Sequence, residues 1–139
     1  MLGFYVVRKL IEAAKLSDST VTQLIPVTAF LSSGKLVTLI NWHNIDQLYD
    51  LENPVTEPRD LLFVCHQIVH SYIFIPLFSE DGLSLSGILF NSDRHRNDRL
   101  YCVELDQIIE LFEKVGNDYP HKMTRTFNER KKDYDVKSS

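Results

Sequence analysis

The stretch from residue 59 to residue 91 reads RDLLFVCHQIVHSYIFIPLFSEDGLSLSGILFN. In its first half, 59–72, apolar side chains cover so much of a helical circumference that we expect the most buried helix of the protein there. Apolar residues first run continuously and then alternate with polar ones, which predicts strands over 72–79 and 84–91, and the intervening Asp81-Gly82 is a strong hairpin turn signal. This stretch therefore predicts a central buried helix followed by an antiparallel β-hairpin.

Helical periodicity also predicts a helix over 2–15 and another over 105–115, each with one apolar face. The predicted class is therefore α+β, with an N-terminal helix, a central buried helix and a C-terminal helix packed against antiparallel β-hairpins. The other expected elements are a hairpin over 20–40, a short helix capped by Asn41 or Asn44, a start of the central helix at Thr56 or Glu57 before Pro58, and a strand over 100–104.

Length and charge divide the chain into a body and a tail. At 139 residues the chain has the size of one domain, and we expect a single globular domain over 1–119. Residues 120–139 carry six basic and three acidic side chains, and their net charge of +3 leaves −7 for the body of a chain whose net charge is −4. Few large apolar residues follow Pro120, so a charged, flexible tail is expected there. An acidic body does not favour duplex DNA as a partner.

Cysteine usage and hydropathy bear on the location of the protein. Cys65 and Cys102 both have apolar neighbours and form no CxxC pair, which favours two reduced, buried thiols. No apolar run reaches the roughly 20 residues of a membrane helix, and the first residues do not have the pattern of a secretory signal. The sequence therefore predicts a cytoplasmic protein that has no membrane partner.

The most distinctive motif is His66-Gln67-Ile68-Val69-His70. Histidines four residues apart lie on one helical face and can bind one metal ion, as in the zinc motif HExxH. Gln67 occupies the place of the glutamate that activates water in that motif, so the general base of a metalloprotease is missing. We therefore predict neither a metal site nor any other cofactor. Two histidines that form hydrogen bonds at a cleft are the alternative to a catalytic role.

Arg59 stands seven residues before His66, and this spacing resembles the arginine–histidine motif of HEPN domains. The resemblance implies a metal-independent ribonuclease of the toxin or phage-defence type that often acts as a dimer. HEPN domains themselves are helical bundles. Carried over onto this chain, the motif makes Arg59 the group that stabilises the phosphorane charge and His66 the general acid or base. His70, eleven residues after Arg59, is the alternative histidine.

Longer stretches resemble a family of small uncharacterised bacterial proteins across most of residues 4–118. They are FYVVRKLIEAAKLSD, YDLENP, CHQIVHSYIF and the segment that ends in LDQIIELFEKVG. The resemblance implies no known activity. It does imply an asparagine at the position of His66 and a histidine at the position of His70, which makes His70 the functional histidine.

The polar loop 92–99 holds the remaining candidate residues for nucleic-acid binding. Its basic side chains can hold a phosphate or contact RNA. Two aspartates in the same loop can pair with the arginines, in which case the loop is simply solvated. The basic residues are Arg94, His95, Arg96 and Arg99.

Two functions from different classes are open at this point. The first is a small bacterial interaction or defence-associated protein that acts as a homodimer, with a protein or RNA as a further partner. The second is a HEPN-like, metal-independent ribonuclease that uses Arg59 with His66 or His70. The sequence does not decide whether the chain is an enzyme.

Overall fold

The computed structural model describes residues 2–13, 15–118 and 123–138, and this part of the chain contains five α-helices and seven strands. The elements are, in chain order, α1 (Leu2–Glu12), α2 (Asp18–Thr22), β1 (Leu24–Leu31), α3 (Ile45–Leu48), β2 (Val55–Asp60), α4 (Leu61–Val69), β3 (Ser71–Phe78), β4 (Leu85–Ser92), a 3-10 turn (Asp93–His95), β5 (Arg99–Glu104), α5 (Leu105–Gly116), β6 (Met123–Asn128) and β7 (Asp133–Ser138).

Five of these strands form one antiparallel sheet in the order β2-β1-β5-β4-β3. Successive side chains of a strand point to opposite faces of its sheet. In β4 both faces are buried, since Ile88 and Phe90 belong to one apolar cluster and Leu89 belongs to another. Burial on both sides explains why three consecutive residues of β4, Ile88, Leu89 and Phe90, are apolar.

The helices α1, α4 and α5 contribute to the apolar cluster on one face of the sheet. At its centre, Val64, Cys65 and Ile68 of α4 are fully buried together with residues of β1, β4 and β5. The predicted α+β class, with an N-terminal helix, a central buried helix and a C-terminal helix packed on antiparallel strands, is confirmed. None of the described helices combines the length and the apolar composition that crossing a membrane requires.

The predicted hairpin over 20–40 is wrong. β1 pairs with β2 and β5, and residues 36–38 are irregular and lead into a turn over 39–43. Val37 is buried in the apolar cluster on the sheet face opposite to the helices. The Asn41 side chain holds this turn, because its Oδ1 accepts a hydrogen bond from the backbone N–H of Thr38 at 2.7 Å. Such local side-chain bonds take the place of the strand ladder that β-branched residues favour.

The central helix starts later than the predicted cap at Thr56 or Glu57. β2 runs through these residues to Asp60, and α4 begins at the next residue. Asp60 is the N-cap, since its Oδ1 accepts a hydrogen bond from the backbone N–H of Phe63 at 2.8 Å.

Pro58, which the sequence places in the first turn of that helix, lies in β2 instead. It stands directly opposite Pro26 of β1. Neither proline has an N–H to donate, so the pair fits a position of the antiparallel ladder at which no hydrogen bonds are exchanged. Because β2 is an edge strand, its proline is also tolerated on the open side.

The predictions for the second half of the body are confirmed. β3 and β4 pair as an antiparallel hairpin, and Gly82 in the turn between them has a positive φ of 69°. β5 and α5 lie where periodicity places them. The cap of α5 is Glu104, whose backbone N–H donates a hydrogen bond to Oε1 of Gln107 at 3.0 Å as part of a capping box.

Residues 123–138 form β6 and β7, a separate antiparallel pair in which Met123 lies opposite Ser138. The sequence predicts no strand in this segment, because its apolar residues are few and widely spaced. The division into a body over 1–119 and a flexible tail over 120–139 stays a prediction, since residues 119–122 lie outside the described residues.

Gly87 of β4 lies where the backbone of β5 leaves no room for a side chain. A Cβ at this position would lie 2.7 Å from the carbonyl oxygen of Val103. Because that oxygen belongs to the backbone of the central strand, we expect Gly87→Ala to lower the free energy of unfolding by about 1–3 kcal/mol. Urea denaturation followed by circular dichroism measures this as a lower midpoint at an unchanged slope.

The matched control is Gly116→Ala at the end of α5, where no atom lies within 4 Å of the added Cβ. This variant should be as stable as the wild type or slightly more stable, because alanine is the better helix former. A Gly87→Ala protein that unfolds at the same urea concentration as the wild type would contradict the close packing of β4 on β5.

Candidate functional site

A cleft of about 470 Å³ opens between α1, α4 and the loop that follows β4. Arginine or histidine side chains reach it from all three elements, and they are accompanied by two carboxylates, two apolar side chains and one amide. The lining residues are Arg8, Glu12, Asp60, Leu62, Phe63, His66, Gln67, Arg94 and His95. The cleft thus collects imidazoles and guanidinium groups from segments that are far apart in sequence.

α4 places two histidines beside this cleft. Its apolar residues Val64 and Ile68 are fully buried, which turns the other side of the helix towards α1 and the solvent. His66 and His70 lie on that side, and their ring centroids are 4.9 Å apart. The prediction that the two histidines share one helical face is therefore confirmed.

His70 contacts Arg8, a residue that no motif in the sequence singles out. Nη1 of Arg8 lies 2.6 Å from Nε2 of His70. A guanidinium group only donates hydrogen bonds, so Nε2 accepts this bond and the proton of the neutral ring sits on Nδ1. Arg8 also donates through Nε to Oε1 of Glu12 at 3.0 Å. Amphipathicity predicts that Arg8 faces away from the core, but it does not predict what comes to lie next to it.

His66 is exposed, and within the described part of the chain its ring has no hydrogen-bond partner. Partial burial lowers the pKa of His66, and the positive charges of His70, Arg8, His95 and Arg94 lower this pKa further. At neutral pH the imidazole is therefore largely neutral. A neutral imidazole with an unoccupied nitrogen can accept a proton from a molecule bound in the cleft.

His95 forms the opposite wall of the cleft. Its Nδ1 lies 3.1 Å from Nε2 of Gln67 and 3.1 Å from Oγ of Ser92. The ring also makes an edge contact with Phe63, at 6.1 Å between centroids. The predicted polar loop therefore holds one histidine that is fixed by its neighbours rather than freely solvated.

The structure separates the other candidate residues of the loop. Arg94 is exposed and lines the cleft. Arg96 lies over the ring of Tyr72, 4.6 Å from its centroid, and pairs with Asp93 at 3.3 Å. The guanidinium group of Arg99 contacts a carboxylate oxygen of β2 instead. Of the three loop arginines, only Arg94 is therefore available to a ligand of the cleft.

Arg59, the arginine of the motif, is not among the residues that line the cleft. Its Nη2 donates to Oε2 of Glu57 at 2.9 Å, and its guanidinium group lies over the Phe63 ring, 4.2 Å from the centroid. Glu57 is only 9% exposed and contacts Arg99 as well. A buried carboxylate needs such compensation, which gives both arginines a structural partner.

The described residues include no group of three or more histidine, cysteine, aspartate or glutamate side chains placed to hold a metal ion. Asp60 is used as the cap of α4. Cys65 is fully buried, as predicted, and burial raises the pKa of its thiol to about 12, whereas Cys102 is only partly buried.

Comparison of the chain with protein-family models, curated proteins and solved structures finds no match. The resemblances to HEPN domains and to a bacterial family thus stay predictions. The five-stranded sheet also sets this fold apart from the helical bundle of HEPN domains.

The burial and the cationic neighbours of His66 lead us to expect a lowered pKa for its imidazole. We expect the pKa of His66, followed by NMR through its ring protons, to lie below the ordinary histidine value of 6.5. In Arg8→Gln the pKa should rise, because a positive charge that disfavours protonation has been removed. Because the pKa of His66 is lower in the folded protein than in the unfolded chain, the unfolded chain binds the proton more readily below pH 6.5. Protonation of this histidine therefore lowers the free energy of unfolding as the pH falls through 6.5.

Arg96→Gln is the matched control, because this arginine belongs to the adjoining loop but lies over Tyr72. It should leave the His66 titration unchanged. Equal shifts in the two variants would mean that the field around His66 is diffuse and does not come from the residues of the cleft.

Proposed function

We propose that the protein is a metal-independent ribonuclease that binds and cleaves an RNA phosphodiester in the cationic cleft. One observation carries this proposal: His66, whose pKa is lowered and whose ring has no hydrogen-bond partner among the described residues, lies beside the cationic groups of Arg8 and Arg94. A proton acceptor and two phosphate-binding side chains are what the reaction requires from a protein.

In the proposed reaction His66 accepts the proton of the 2′-hydroxyl group. The 2′-oxygen then attacks the adjacent phosphorus, and the guanidinium groups of Arg8 and Arg94 stabilise the charge on the phosphorane oxygens. The bond to the 5′-oxygen breaks, and that oxygen leaves with a proton from water. The hydroxide ion so formed takes the proton from His66, which restores the neutral imidazole. The products are a 2′,3′-cyclic phosphate and a free 5′-hydroxyl group, so atoms and charges balance.

This proposal keeps the histidine of the HEPN-like motif but changes the arginine. The partners of Arg59 are Glu57 and Phe63, which supports a structural role for it. His70 has Arg8 as its partner, which supports a role in orienting that guanidinium group. A cytoplasmic location, where RNA is accessible, belongs to the same proposal.

Cleavage of a short fluorogenic RNA in the presence of EDTA tests the proposal. Wild-type protein should cleave the RNA and leave DNA of the same sequence intact, because DNA lacks the 2′-hydroxyl group. His66→Ala should lower the rate by at least about 100-fold, the usual contribution of a general base. His70→Ala should retain more activity, because it removes only a support of Arg8.

His43→Ala is the control, since His43 lies outside the cleft in the segment between β1 and β2. It should cleave at the wild-type rate, and circular dichroism should show all three variants folded. A wild-type protein that leaves RNA intact in EDTA, or a fully active His66→Ala protein, would refute the ribonuclease proposal.

A second candidate function is that of a bacterial interaction or defence-associated protein that acts as a homodimer. An apolar groove of about 350 Å³ between α1 and α5 favours it. Val6 and Phe112 in this groove are 47% and 37% exposed, and Leu10 and Val115 continue its apolar surface. Burial of such a surface against a second copy of the chain would stabilise the pair.

Sedimentation over a range of protein concentrations tests for this dimer. We expect the wild type to associate and Val6→Glu to remain monomeric, because a carboxylate would be buried in the interface. Leu83→Glu at the tip of the β3–β4 turn is the control, since Leu83 is 87% exposed but distant in the fold from the groove. A monomeric wild type at all concentrations would remove the homodimer from consideration.

A further inference from the structure

Gln67 is a polar side chain in the buried part of α4. It is only 1% exposed, and both ends of its amide group are engaged. Oε1 accepts a hydrogen bond from the backbone N–H of Ser92 at 3.0 Å, and Nε2 lies 3.1 Å from Nδ1 of His95. The helix is thereby linked to the start of the loop that carries His95.

These two contacts fix the orientation of the amide and the tautomer of the histidine. A backbone N–H can only donate, so the atom of Gln67 that faces Ser92 must be its oxygen. The amide nitrogen then faces His95, and because it too can only donate, Nδ1 of His95 must accept. In the neutral ring the proton therefore sits on Nε2.

The two nitrogens lie on different edges of the imidazole ring. Nδ1 is held against Gln67 and Ser92, which are 1% and 2% exposed. His95 lines the cleft, and its Nε2–H group is the part of the ring that Gln67 and Ser92 leave unengaged. Within the described residues no side chain accepts a hydrogen bond from this Nε2–H group.

We propose that Gln67 is a positioning residue, which locks His95 as a hydrogen-bond donor for the anionic oxygen of a phosphodiester in the cleft. The inference rests on the proposed function of the same cleft and adds a residue that the HEPN-like motif does not include. His66 and His95 then have opposite roles. His66 offers a lone pair to the hydroxyl group that is deprotonated, and His95 offers a proton to the oxygen on which charge develops.

Gln67→Glu tests whether residue 67 fixes the tautomer of His95, because ionised glutamate has the same shape as glutamine but only accepts hydrogen bonds. One carboxylate oxygen can still accept from the N–H of Ser92, and the other requires a proton on Nδ1 of His95. Nitrogen-15 NMR distinguishes the two ring nitrogens by whether each carries a proton. We expect Nε2 of His95 to be protonated and Nδ1 unprotonated in the wild type at pH 8, and Nδ1 to be protonated in Gln67→Glu.

Gln67→Met removes the lock without adding a charge and serves as the second variant. It should give a mixture of the two His95 tautomers. Binding is measured with 2′-O-methyl RNA, a probe that has the phosphodiester but lacks the attacking hydroxyl group. Gln67→Glu should bind it about tenfold more weakly than the wild type. Gln67→Met should bind it only about twofold more weakly, because part of a tautomer mixture still carries the proton on Nε2. The wild-type His95 nitrogen resonances should shift when the probe binds.

The outcomes separate this inference from the ribonuclease proposal. A wild-type His95 with its proton on Nδ1 overturns the lock, whatever the variants do. A correct tautomer with unchanged affinity in both variants overturns the role of His95 as a phosphate donor. If the tautomer and the affinities behave as expected but RNA is never cleaved, then the phosphate-binding role of Gln67 and His95 holds and only the cleavage proposal fails.

Discussion

The burial of α4 is the constraint on which the rest of the structure depends. Val64, Cys65 and Ile68 have no exposed surface, and each such apolar side chain contributes about 1.5–3 kcal/mol to stability through burial. That burial fixes the rotation of the helix about its own axis. Once the rotation is fixed, His66 and His70 lie on the side towards α1, and Gln67 lies against β4 and the loop that follows it. The packing of one helix thus sets both the core and the geometry of the cleft.

The cleft brings together groups that interact unfavourably in the absence of a ligand. Arginine keeps its charge at any physiological pH, so Arg8 and Arg94 act on the histidines rather than the reverse. Partial burial lowers the pKa of His66, and the neighbouring His70, Arg8, His95 and Arg94 lower this pKa further. Glu12 compensates only part of this charge, through its pairs with Arg8 and Lys9. A concentration of cations beside a neutral base is typical of sites that bind an anion, where local stability gives way to function.

Charge compensation explains why Arg59 is not among the residues that line the cleft. The carboxylate of Glu57 is buried under the edge of the sheet, where an unpaired charge would be costly. Arg59 from β2 and Arg99 from β5 both contact it, and Arg59 also covers the face of Phe63. Phe63 in turn contacts His95, so this ion cluster supports one wall of the cleft although Arg59 does not line it. Arg59 and His66 are close in sequence but have different surroundings.

The sequence by itself determined the elements whose signals are local. The first helix, the β3–β4 hairpin and the α5 helix follow from periodicity and turn chemistry, which act over a few residues. The shared face of His66 and His70 follows from helical geometry in the same way. The partners of β1 could not be predicted, because strand pairing depends on which faces become buried when distant segments pack. The cleft could not be predicted for the same reason, because its contacts join distant segments. Arg8 and His70 are 62 residues apart in sequence, and Gln67 and His95 are 28 residues apart. Only the tertiary structure decided these contacts, since they arise from the packing of α1 and of the loop after β4 around α4.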